Sequence, residues 1–76
     1  MFNFLDVVKW KDPQNYAEKE DLMVVEDTAG VFVSVRHLTE EGFENVSNER
    51  AEDLKYVGKC TAYEKAEDIY GRYKNA

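Results

Sequence analysis

The stretch Leu22-Met23-Val24-Val25-Glu26-Asp27-Thr28-Ala29-Gly30-Val31-Phe32-Val33-Ser34-Val35-Arg36-His37-Leu38 decides the fold class. Two runs rich in β-branched residues flank Asp27-Thr28-Ala29-Gly30. Asp at the first position and Gly at the fourth suit a type I turn. The reading is therefore a β-hairpin with a four-residue loop. It pairs Glu26 with Val31, Val24 with Val33 and Leu22 with Val35. One face then carries Leu22, Val24, Val33 and Val35, a continuous apolar surface suited to a core.

Upstream, Phe2, Leu5 and Val8 in FNFLDVVK share a helical stripe, so residues 2–9 read as a short helix. Asp12-Pro13 reads as the start of a second, with Asp as N-cap and Pro at the first helical position, running to about Glu20. Downstream, residues 39–50 are polar except for Phe43 and Val46, and read as a long loop or a short edge strand around 43–46. Ser47 or Asn48 is placed to cap a helical turn over 49–54, with Ala51 and Leu54 inward.

In residues 55–62, Tyr56, Gly58, Cys60 and Ala62 alternate with Lys55, Val57, Lys59 and Thr61. That period of two favours an edge strand with lysines on the wet side. The competing reading extends the preceding helix to Val57 and stops it at Gly58. The last helix opens on a Thr61/Glu64 capping box and lines up Ala62, Ala66, Ile69 and Tyr73 inward, with Tyr63 and Tyr70 along one edge. Asp68 and Arg72 form its i,i+4 ion pair.

The expected fold is α+β in one small domain over 1–76: a two- or three-stranded antiparallel sheet packed against the C-terminal helix, with short N-terminal helices. A chain of 76 residues is too short for a large nucleotide-binding fold or a multidomain enzyme. Its 43% hydrophobic and 34% charged content is that of a globular protein. Ten basic and sixteen acidic residues leave a net charge of −6, spread over both halves of the chain. A field of that sign repels duplex DNA and anionic lipid and attracts a basic partner. One cysteine excludes an internal disulfide, and no secretion signal or spanning segment is legible, so a cytoplasmic protein is expected.

Sites for chemistry are sparse. His37 is the one histidine, and neither a serine nor Cys60 has a recognisable nucleophile context around it. Cys60 reads as a buried small hydrophobe. The acidic clusters lack the spacing of a calcium loop, and no phosphate loop or dinucleotide fingerprint occurs. No cofactor, metal or catalytic residue is therefore assigned.

The aromatic content is the more informative feature: one Trp, five Tyr and four Phe in 76 residues. Tyr and Trp join an apolar body to a polar tip and suit interfaces, which makes Trp10, Tyr63, Tyr70 and Tyr73 the candidate protein-binding residues. The leading expectation is a non-catalytic protein-binding module, as a homodimer or docked on a partner with a basic surface. A sharper form is a small acidic inhibitor or nucleic-acid mimic. The first alternative is a regulatory or accessory nucleic-acid-binding protein using Lys55, Lys59, Arg72 and Lys74 with exposed aromatics. The second is an enzyme whose site is completed at a subunit interface or by a metal.

Overall fold

The computed structural model describes residues 1–76. Five strands form one antiparallel sheet: β1 (Asp6–Trp10), β2 (Leu22–Ala29), β3 (Phe32–Thr39), β4 (Gly42–Arg50) and β5 (Leu54–Lys59), in the order β4-β3-β2-β1-β5. Helix α1 (Tyr16–Glu20) follows β1, a 3-10 turn (Ala51–Asp53) joins β4 to β5, and helix α2 (Ala66–Tyr73) closes the chain. The sheet thus has five strands rather than the two or three expected.

The first correction is β1, which replaces the helix expected over 2–9. Val7 and Val8 are both fully buried although they are neighbours. Adjacent strand side chains point to opposite faces, so β1 is a central strand covered on both sides. Two adjacent apolar residues buried on opposite faces, between Asp6 and Lys9, do not show the alternation of a half-exposed strand. The second correction is the extent of β4, an edge strand over Gly42–Arg50 where a long loop or only a short edge strand around 43–46 is expected. Its nine residues are largely exposed, and only Phe43 and Val46 are apolar, which left little pattern to read.

The hairpin is present with a different register. β2 continues through Asp27-Thr28-Ala29, and Ala29 faces Phe32 across a two-residue turn with Gly30 first. Gly30 has φ +63°, the conformation a glycine-first II′ hairpin turn requires. Leu22 therefore pairs with Leu38 and Val25 with Val35, with a bulge between Val25 and Asp27. The shift redistributes the side chains. Leu22 and Val24 join Val7, Leu38, Ala66 and Ile69 in one core cluster, beneath α2. Met23, Val25, Val33 and Val35 join Val8 and Leu54 in a second.

No helix lies over that second cluster; Phe2, Trp10 and Ala51 adjoin it. In a flat sheet Leu54 on β5 and Val33 on β3 would stand about 14 Å apart, with two strands between them. Their near-complete burial in one cluster means that the sheet curls around this face.

The remaining boundaries also move. α1 starts at Tyr16, not near Pro13, because Asn15 supplies the cap, accepting from the Glu18 N–H at 2.9 Å. The strand expected over 55–62 is present as β5, which occupies 54–59. Its expected alternation fails, since Leu54 is buried and Tyr56 exposed. The Thr61/Glu64 contact forms, with the Thr61 N–H donating to Glu64 Oε2 at 2.6 Å, yet α2 begins only at Ala66. Ala62 lies outside the helix and is exposed, while Ala66 and Ile69 are buried as expected. Arg72 pairs with Glu64 at 2.5 Å and not with Asp68 as expected.

Candidate functional site

Helix α2 has eight residues and is about 12 Å long, too short to cover one face of five strands. Beside it lies an open groove of about 290 Å³. Its floor is Val24 on β2 and Ile69 on α2; its walls include Phe4, Leu5, Phe43 and Ala62. Phe4 and Phe43 are 63% and 46% exposed, so two aromatic rings stand free at the rim of an apolar floor. That is the common composition of a binding cleft: apolar lining with a few placed polar groups.

The polar groups are already paired. Arg36 holds Glu26 through Nε to Oε2 at 2.7 Å and a second nitrogen to Oε1 at 3.3 Å. Hydrogen bonding to Glu26 makes Arg36 hold its proton still more tightly than usual. Glu64 is held by Arg72 and by the Thr61 N–H, which push its carboxyl below the usual range.

Leu5 has φ +72°, which a branched side chain rarely adopts. Two backbone hydrogen bonds hold it there. Its N–H donates to the Val25 carbonyl at 2.9 Å, and its carbonyl accepts from the Cys60 N–H at 3.1 Å. Cys60 also directs Sγ at that carbonyl, at 3.4 Å. Cys60 is only half-buried, against the first core cluster. Burial, and then the Glu64 charge, push its thiol up, which keeps it protonated and a poor nucleophile at neutral pH.

A second groove adjoins the first. It gathers Glu20, Asp21, Glu40, Glu41 and Glu44 with Tyr70. The two grooves share no lining residue, but consecutive residues line them, Phe43 and Glu44 on β4 and Ile69 and Tyr70 on α2. Burial and then the carboxylates of Glu20, Glu40 and Asp21 push the Tyr70 hydroxyl up, so it remains a neutral donor. No group of three or more His, Cys, Asp or Glu side chains is placed to hold a metal ion.

The four aromatic residues singled out from sequence are not brought together. Trp10 packs beside the second core cluster and donates Nε1–H to Asp21 at 3.0 Å. Tyr70 and Tyr73 pack against the first. Tyr63 is 97% exposed between β5 and α2. The groove's own aromatics, Phe4 and Phe43, were missed. Their one signal was that each is an apolar residue within a segment of weak period.

His37 does acquire a partner that sequence reasoning did not find. Its Nε2 is 2.8 Å from Ser47 Oγ, which donates to Glu49 Oε2 at 2.8 Å. A hydroxyl has one proton, and here it goes to the carboxylate, so the imidazole donates to the serine. That is the reverse of a base activating a nucleophile. Among the candidate cations, Lys59 bonds the buried Asp6 at 2.8 Å, and Arg72 is held by Glu64. No helix is long and apolar enough to cross a membrane. No family model matches this chain, and no curated protein or solved structure matches it at a significant level.

Proposed function

We propose that this protein is a non-catalytic protein-binding module that takes an apolar side chain of its partner between Phe4 and Phe43 and a neighbouring basic side chain among the carboxylates beyond Phe43. The observation that carries this reading is that consecutive residues of β4 and of α2 line an apolar groove and an acidic one. An apolar anchor supplies affinity, while the carboxylates steer and select. A surface that ordinarily grips phosphate is one form of basic partner that fits, which keeps the acidic inhibitor within the same proposal.

A displayed library of random peptides selected on the folded chain tests it. The expected winners carry a large apolar residue next to Lys or Arg. Their affinity should fall at least about tenfold on Phe43→Ser. On Glu40→Gln with Glu44→Gln it should fall more at low salt than at high. Selection of no peptide, or undiminished binding by a folded Phe4→Ser/Phe43→Ser variant, would refute the proposal.

A further inference from the structure

The sheet has two edges, β4 and β5, and side chains from the end of α2 bond the outward backbone of only one of them, β5, at Lys59. On β5, the Lys59 N–H donates to Tyr73 Oη at 3.2 Å, and that hydroxyl donates back to the Lys59 carbonyl at 2.7 Å. Arg72 adds a bond to the same carbonyl at 3.3 Å. β5 also carries Lys55 and Lys59, the residue type with which exposed edges deter pairing.

β4 has neither defence. It is the longest strand, Gly42–Arg50, and contains no lysine and no proline. The direction of its backbone groups follows from one bond at its end. The Ala51 N–H donates to the Val31 carbonyl at 2.9 Å, in line with the Phe32–Arg50 and Val33–Glu49 pairs. Bonded and non-bonded pairs alternate in an antiparallel ladder. Ser47 and Glu49 therefore face β3 with their backbone groups, while Val46, Asn48 and Arg50 turn theirs outward.

We infer that the free edge of β4 pairs antiparallel with β4 of a second copy of this chain, about a two-fold axis near Ser47. This register sets Val46 against the partner copy's Asn48, both with outward backbone groups. It also sets Glu44 against the partner copy's Arg50, twice by symmetry. No like charges then face each other along 43–51. An axis at Glu49 would oppose that residue to itself. Glu44 borders the groove that holds Tyr70, so it lies on the α2 side of the sheet; Val24 pairs with Arg36 and Arg36 with Val46, which puts Val46 there too. The surface joined is small, so a weak, concentration-dependent dimer is expected. Val46 lines neither groove, so its two variants test this inference apart from the peptide-binding proposal, with which the dimer shares Glu44.

The test is sedimentation velocity with diffusion NMR on the full chain over about a hundredfold range of concentration. The wild type should pass from monomer toward dimer. Val46→Pro removes an outward donor without removing a β3 bond, and should leave a folded monomer. Val46→Lys keeps the backbone donor, adds an edge charge and should weaken association at least about tenfold. Glu44→Arg or Arg50→Glu alone should weaken the dimer, and the double swap should restore it. A wild type that stays monomeric throughout, association that survives both Val46 variants, or a double swap that fails to restore it would overturn the inference.

Discussion

At β5 the outward backbone groups of Lys59 meet the Tyr73 hydroxyl and the Arg72 guanidinium, whereas the outward groups of Val46, Asn48 and Arg50 on β4 have no such cover. The difference traces to the C-terminal helix. Ala66 and Ile69 anchor α2 on the first core cluster, and the last turn of the helix then delivers Arg72 and Tyr73 to β5. Gly58 makes room: a β-carbon there would lie 2.5–2.6 Å from the Tyr73 ring and hydroxyl. An edge is therefore protected by side chains from another element, and that protection depends on the core beneath it. β4 carries its half-exposed Phe43 and Val46 with no such partner.

The severest way to break this contrast is to remove the anchor. Ile69 is 1% exposed within the first cluster, so Ile69→Ala should cost about 2–5 kcal/mol through lost burial and the cavity left behind. A domain of this size has little stability to spare, so chemical denaturation should show a large drop in midpoint. Before global unfolding, the Lys59 amide should lose its protection from hydrogen exchange. An unchanged midpoint would separate α2 from the core and dissolve the account of the guarded edge.

A more local break comes from Gly58→Ala. The added methyl cannot coexist with Tyr73 in its present place, and forcing extra atoms into a packed contact costs about 1–3 kcal/mol. Tyr73 should swing away and expose Lys59 while Ile69 stays buried. Hydrogen exchange should then rise at Lys59 but not at Val24 or Val25 in the sheet centre. A crystal structure of the variant with Tyr73 still bonded to Lys59 would show that the glycine is not what admits the ring.

How far the sequence spoke depended on what covers each strand. The apolar runs 22–25 and 32–38 were legible as strands because β-branched residues crowd them. Their register was not, since both Asp27–Gly30 as a four-residue loop and Gly30-Val31 as a tight turn satisfy local chemistry. The bulge after Val25 and the pairing with β1 settle that competition through tertiary packing. β1 lacked a period because Val7 and Val8 serve opposite cores; β4 lacked one because most of its side chains face water. The groove was least legible. Phe4, Leu5, Phe43 and Ala62 come from three separated segments: the crossing of β5 back beside β1 brings Ala62 to Phe4 and Leu5, while Phe43 comes from β4 at the opposite edge.

A gentler probe of the guarded edge is Tyr73→Phe. It keeps the ring over Gly58 and deletes only the hydroxyl that both accepts from and donates to Lys59. The stability cost should be about 0.5–1.5 kcal/mol, the net value of such hydrogen bonding. The informative readout is again exchange at Lys59, which should approach the rates of the Val46 and Asn48 amides measured in dilute, monomeric protein. If Lys59 keeps its protection, shielding by the ring rather than the hydroxyl is what guards β5.

The smallest expected effect is a pH dependence of the same guard. Glu64 accepts from Arg72 at 2.5 Å and from the Thr61 N–H at 2.6 Å. Bonding to Arg72, and then to Thr61, holds the folded carboxyl below its unfolded value. The unfolded chain therefore binds the proton more readily. The contribution of Glu64 is fully present above the ordinary glutamate pKa of about 4.3, and is lost as pH falls through the lower, folded value. Glu64→Gln should accordingly melt below the wild type at neutral pH, and the gap should close progressively under acid conditions. Added salt should narrow it too, because the pair is partly exposed. Since Arg72 also reaches the Lys59 carbonyl, releasing it should slightly raise exchange at the β5 edge while leaving β4 unaffected. A gap in melting temperature that is constant from neutral to acid pH would mean that the Glu64 charge does not hold Arg72 over that edge.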